Sequence, residues 1–217
     1  MLRAIIFDFD GLILDTELPE FTAWCEIFEA QGHELPLEIW QAAIGTRDGF
    51  DPYSYLSGLT GRTIDRDVTR SQLKHRAREL IEALEPLPGV ESLLVEAREF
   101  GLSIGLASSS DREGVEAHLG RLSLDHHFDA VVCASSSGLP AKPDAAVYVE
   151  ALRALDVRAL EAVALEDSLN GVRAAKAAGI HCIAVPNTVT RSMDFSEADS
   201  CITSLLELSL TELATRF

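Results

Sequence analysis

The sequence is poor in positive charge. Eighteen Lys and Arg stand against 35 Asp and Glu, for a formal net charge of −17. A chain so acidic has no basic face to offer a phosphate backbone, which excludes nucleic acid as a main partner. A small phosphorylated metabolite is not excluded, because the repulsive field is screened within about 8–10 Å in physiological salt. A metal ion and one or two local cations suffice to hold it. Cysteine is scarce: Cys25, Cys133, Cys182 and Cys201 are scattered, without a CxxC pair. That predicts neither a zinc site nor a disulfide framework and points to a reducing cytoplasm. No apolar run approaches the ~20 residues of a membrane span. The N-terminal apolar stretch is cut off at Asp8, too early for a signal peptide. No internal repeat and no low-complexity tract is present. What is there, at 217 residues and 47% apolar, is a globular chain long enough for one good core and a smaller appended unit. A monomer or small homo-oligomer is expected.

The chemistry begins at Ala4-Ile5-Ile6-Phe7, followed by Asp8-Phe9-Asp10-Gly11. The apolar run reads as a buried parallel strand covered on both faces. Residues i and i+2 of a strand start from the same side, so Asp8 and Asp10 share the strand's carboxyl end, where open α/β sheets bind ligands. Two carboxylates so close repel each other. A divalent cation relieves that, and hard oxygen ligands suit Mg²⁺. Gly11 lets the backbone turn sharply and approach a ligand. A carboxylate nucleophile, a second carboxyl as acid and base, and a magnesium ion fit this stretch; two solvated aspartates at a strand end fit it too.

From about residue 16 to 85 the pattern is helical throughout. Helices are expected over Glu17–Gly32, Leu35–Ile44, Pro52–Leu59 and Asp65–Leu84, the last with Val68, Leu73, Leu80, Ile81 and Leu84 on its buried side and Lys74, His75 and Arg76 on its wet face. Pro86-Leu87-Pro88-Gly89 then restarts α/β alternation. Strands are expected at 102–107, 130–134, 162–165, 181–185 and 198–202, a loop at 135–141, and a final helix at 205–213. Such alternation implies a parallel sheet with right-handed crossovers. Its strand ends carry Asp8 and Asp10, Ser108, Lys142 and Glu166-Asp167 along one edge. Carboxylates for Mg²⁺, a Lys against phosphoryl oxygens and a Ser donor together suit phosphoryl transfer. Taken singly, Ser108 and Glu166-Asp167-Ser168 also read as turn or helix-cap residues, Lys142 as a loop residue, and Asp15-Thr16 as the cap of the first helix.

The ordered set resembles the haloacid dehalogenase superfamily, across essentially the whole chain. Asp8-Phe9-Asp10-Gly11-Leu12-Ile13-Leu14-Asp15-Thr16 is similar to its first motif, DxDGxxxDT; Ser108, Lys142-Pro143-Asp144 and Glu166-Asp167-Ser168 resemble the other three. The helical stretch resembles the small cap of the β-phosphoglucomutase-like and sugar-phosphate phosphatase branch. The resemblance implies a Rossmann-like α/β core at 1–15 and 86–217 carrying a helical cap at 16–85. It implies Asp8 as nucleophile, Asp10 as acid and base, and Ser108 and Lys142 holding the phosphoryl group. It implies an Mg²⁺ site built by Asp8, the Asp10 backbone carbonyl, Asp167 and Glu166. Asp10 argues against dehalogenation, since the dehalogenases lack an acid there. The mutases keep a cap histidine where this chain has Glu20, which favours a hydrolase. Arg47, in Gly45-Thr46-Arg47, resembles a cap arginine that grips a distal phosphate; Arg47, Ser109 and Glu20 are candidate substrate-binding residues. The expectation is an Mg²⁺-dependent phosphatase acting on a sugar or polyol phosphate through an aspartyl phosphate. A β-phosphoglucomutase-like isomerase and a non-catalytic phosphometabolite-binding protein are the alternatives.

Overall fold

The computed structural model describes residues 1–44 and 50–217; Arg47 lies outside the described residues. Six parallel strands form one sheet in the order β3-β2-β1-β4-β5-β6. They are β1 (Ala4–Phe7), β2 (Ser103–Ser108), β3 (Ala130–Cys133), β4 (Ala162–Glu166), β5 (His181–Ala184) and β6 (Ser200–Cys201). β1 is entirely buried and hydrogen-bonded on both sides, to β2 and β4. Its side chains alternate between two cores. Ile5 and Phe7 join Leu93 and Leu94 of α5 (Val90–Glu99) and Val115 and Leu119 of α6 (Arg112–Arg121). Ala4 and Ile6 join Val147 and Ala151 of α8 (Ala146–Leu155) and Val172 and Ala175 of α9 (Leu169–Ala177). The result is the three-layer sandwich expected when apolar strands are covered on both faces. Strand order reverses between β1 and β4, and the crevice outside their carboxyl ends is where such sheets bind ligands.

The helices between Glu17 and Glu82 pack around a cluster of their own. They are α1 (Glu17–Ala30), α2 (Leu37–Trp40), α3 (Pro52–Thr60) and α4 (Arg66–Glu82). Trp24, Phe28, Trp40, Leu56 and Leu73 form the centre, joined by Val189 from beyond β5. Trp24 meets Tyr53 edge to face at 4.9 Å, and Arg76 grips Glu26 across α1 and α4 at 2.9 Å. Arg76 is thus a tie between helices, while Lys74 and His75 are exposed as expected.

Three expectations need correction. Val68 is 54% exposed. The line of α4 facing α1 runs through Thr69, Leu73 and Ala77 at steps of four, and Val68 falls beside it; Ile81 and Leu84 pack instead onto the sheet's core. The expected loop at 135–141 contains a helical turn, α7 (Ala134–Ser137), closed by Gly138 at φ +65°. The expected last helix is broken. A 3₁₀ turn spans Leu205–Glu207, and Ser209 starts α10 (Leu210–Ala214) anew by accepting the Glu212 N–H.

Candidate active site

The first strand delivers Asp8 into a buried polar cluster. Lys142, only 1% exposed, donates from Nζ to Asp8 Oδ1 and, at 2.6 Å, to Glu166 Oε1. The Tyr148 hydroxyl donates to the same Glu166 oxygen at 2.5 Å, and Lys142 Nζ stands 5.2 Å from the centre of the Tyr148 ring. Asp167 accepts from Asn187 Nδ2 at 2.7 Å, and that amide also donates to the Gly11 carbonyl at 3.1 Å. Two glycines make room. Gly11 has φ +79°, and a Cβ on it would stand 2.2 Å from Asp167 Oδ2; on Gly171 it would stand 1.8 Å from Glu166 Oε2.

Asp10, two residues beyond Asp8, is held differently. Its Oδ1 accepts from Thr16 Oγ1 at 2.8 Å. Its Oδ2 accepts from Ser108 Oγ at 3.2 Å and Ser110 Oγ at 2.7 Å. Thr16 therefore spends its hydroxyl on Asp10, not on capping α1, where Asp15 accepts the Leu18 N–H. Ser109 Oγ accepts the Lys142 N–H at 3.2 Å and fixes the loop that presents Lys142. Ser168 does cap its helix, accepting the Gly171 N–H at 3.1 Å.

Burial dominates the electrostatics. It pushes Asp8 up to about 8; Lys142 pulls it down, while Glu166 and Asp10 add to the rise. Burial, then the charges of Asp8 and Glu166, hold Asp167 well above the carboxylate range. Burial alone would lower Lys142, but Asp8 and Glu166 outweigh it and raise it. One ammonium therefore serves three carboxylates, an arrangement that calls for further positive charge. Ligand oxygens of Asp8, Glu166 and Asp167 lie within 4.8 Å of one another. Opposed ligands of a Mg²⁺ ion stand about 4.2 Å apart at bond lengths near 2.1 Å, so the set fits a small hard cation with little movement. The Asp10 carboxylate lies outside this group; the atom expected to bind metal there is its backbone carbonyl.

Above the cluster opens a cavity of about 360 Å³, lined by Asp8, Asp10, Glu17, Glu20, Trp24, Tyr53 and Ser109 among others. The expected residues Asp8, Asp10, Ser108, Ser109, Lys142, Glu166 and Asp167 thus gather at one sheet edge, and Glu20 of α1 lines the cavity above them. Glu20 is exposed to the open cleft, where nearby protein and the charge of Asp10 raise its pKa. The sequence did not single out Ser110, Tyr148, Asn187 or Glu17. A tyrosine on the apolar side of a helix is a usable signal, since a buried hydroxyl needs a partner. Asn187 follows β5 and falls to the same rule that found the other strand ends.

The profile described as haloacid dehalogenase-like hydrolase matches residues 5–185. The protein YhcW of Bacillus subtilis (strain 168) is 41% identical over 98% of this chain and 96% of its own length. Hexitol phosphatase B of Escherichia coli (strain K12) is 34% identical over 98% and 96%. Among solved structures, CbbY from Rhodobacter sphaeroides in complex with phosphate superposes with a TM-score of 0.73 at 30% identity, covering 96% of this chain and 97% of that one.

Proposed function

The chain belongs to the haloacid dehalogenase-like hydrolases and is a phosphoric monoester hydrolase of that family; we propose that it is an Mg²⁺-dependent phosphatase that removes phosphate from a sugar or polyol phosphate through an aspartyl phosphate on Asp8. One observation carries this reading. Two carboxylates two residues apart sit in opposite surroundings, Asp8 against an ammonium and two further carboxylates, Asp10 against three hydroxyls at the mouth of the cavity. Unequal surroundings are how a pair of carboxyls divides nucleophile from acid and base.

In this reading Asp8 attacks phosphorus and the ester P–O bond breaks as Asp10 protonates the leaving oxygen. Asp10 then takes a proton from water, which attacks the aspartyl phosphate, releases inorganic phosphate and restores Asp8. Lys142 balances charge on the phosphoryl oxygens from inside the protein, with Ser108 and Ser109 beside it. Asp8 and Asp167, with Glu166 supporting them, would hold Mg²⁺, which would supply positive charge to keep Asp8 ionised and to offset charge on the phosphoryl group. The helical stretch 16–85 acts as a cap over the leaving group, and Arg47 contributes to substrate choice. Four unpaired cysteines suit a reducing cytoplasm. The test is a panel of sugar and polyol phosphates with Mg²⁺, including β-glucose 1-phosphate with a trace of its 1,6-bisphosphate, read for free phosphate and for glucose 6-phosphate. Phosphate release that vanishes in Asp8→Asn is expected. Glucose 6-phosphate without phosphate loss would make the protein a mutase, and wild-type turnover in Asp8→Asn would remove the nucleophile.

A further inference from the structure

Glu17 has no part in the chemistry above, yet it occupies a costly position. It opens α1 and is only 8% exposed. Its carboxyl makes no hydrogen bond or ion pair among the described residues, and its oxygens are not among the enclosed unpaired atoms, which are Trp40 Nε1 and His181 Nε2, so they face the cavity, while its neighbour Thr16 is bonded to Asp10. Its remaining exposure opens into the cavity above Asp8 and Asp10, which it lines together with Trp24 and Tyr53. An acid in a helix's first turn ordinarily stabilises that helix from solvent. A carboxyl with no protein partner, whose oxygens open only to a cavity beside other carboxylates, instead gives up part of its hydration on folding. Such costs persist at sites where a ligand supplies the missing partner.

We infer that Glu17 is the specificity-determining residue for the leaving group, and that it hydrogen-bonds a hydroxyl near the ester oxygen of a polyhydroxylated substrate. This deepens, and rests on, the phosphatase reading. The chemistry selects a hydroxyl. Glu17 lies among Glu20, Asp10 and Asp8, whose charges add to burial in raising its pKa well above the usual carboxylate range. A neutral carboxyl both donates and accepts, and an ionised one only accepts. A hydroxyl complements either form, whereas an ammonium or a second carboxylate complements only one. The rings of Trp24 and Tyr53 supply apolar surface for the carbon face of a sugar or polyol, as pockets for small ligands commonly do.

The experiment compares kcat/KM for a hexitol 6-phosphate with that for phenyl phosphate, which has no hydroxyl, in wild type, Glu17→Gln and Glu17→Leu, with the Tm of each ligand-free protein. Glu17→Leu is expected to lower the hexitol-to-phenyl ratio by about tenfold or more, the range of a lost hydrogen bond in a site built for it, and to raise Tm. Glu17→Gln, which keeps a donor and an acceptor, is expected to lower the ratio less. An unchanged ratio in Glu17→Leu with an active wild type, or a lowered Tm, would overturn this inference alone. A wild type inactive on both esters would overturn the phosphatase reading and this inference with it.

Discussion

Gly171→Ala should destabilise this protein, although glycine-to-alanine changes inside helices usually do the reverse. Alanine is favoured over glycine in a helix by about 0.5–1 kcal/mol. At position 171 the added carbon would stand 1.8 Å from Glu166 Oε2, 2.0 Å from its Cδ and 2.2 Å from Oε1. The carboxyl has to move as a whole. Its Oε1 holds Lys142 at 2.6 Å and Tyr148 at 2.5 Å, and both donors are buried. Overpacking costs about 1–3 kcal/mol, and a loosened hydrogen bond to a charged group about 1.5–3 kcal/mol. Less the helix gain, the net is roughly 2–5 kcal/mol. For a chain of this size that lowers Tm by roughly 4–20 °C. Gly58→Ala is the control: Gly58 lies within α3, is exposed, and has nothing within 4 Å of the added carbon. It should be neutral or slightly stabilising. Thermal and urea unfolding of both variants, with kcat/KM, test the argument. Phosphatase activity should drop in Gly171→Ala and hold in Gly58→Ala. A Gly171→Ala protein as stable and active as wild type would mean that Glu166 has room the structure does not show, and the reasoning would fail.

Lys142→Met leaves Asp8, Glu166 and Asp167 without their ammonium; breaking a buried pair on one side costs about 3–5 kcal/mol, and an unaltered unfolding midpoint at pH 7.5 would contradict it. Asp10→Asn should slow hydrolysis of an alkyl phosphate by about 10²–10⁴ and that of p-nitrophenyl phosphate much less, since nitrophenolate leaves without a proton; equal losses on both would argue that Asp10 acts otherwise. Without metal, Tm should fall as pH rises from about 6 to 8. Asp8 at about 8 keeps a proton in the folded state that the unfolded chain has already released, so the unfolding free energy declines across that window; Mg²⁺ should flatten the decline, and a Tm that rises over it in EDTA would be the contrary result.

The parts of the site legible in the sequence are those that a strand end imposes. Asp8 and Asp10 follow a run of four apolar residues, Ser108 ends β2, and Glu166 and Asp167 end β4; a parallel sheet then brings these together without further information. The sheet itself was legible because each strand is apolar and each helix has a stop or a cap nearby. What escaped depends on partners distant in sequence. Asn187 reaches Gly11 across 176 positions, and Tyr148 reaches Glu166 across 18. Neither partner can be named from the local pattern: Tyr148 signals only that a buried hydroxyl needs an acceptor, and Asn187 only that it stands beyond a strand end. Glu17 was hidden for the opposite reason, because its local reading is too good. An acid at the first position of a helix needs no further explanation in sequence, and only its burial against the cavity sets it apart from an ordinary first-turn acid. The cluster around Asp8 is therefore dictated by topology, while the placing of Glu17 on the cavity is visible only once the helices between Glu17 and Glu82 have been packed.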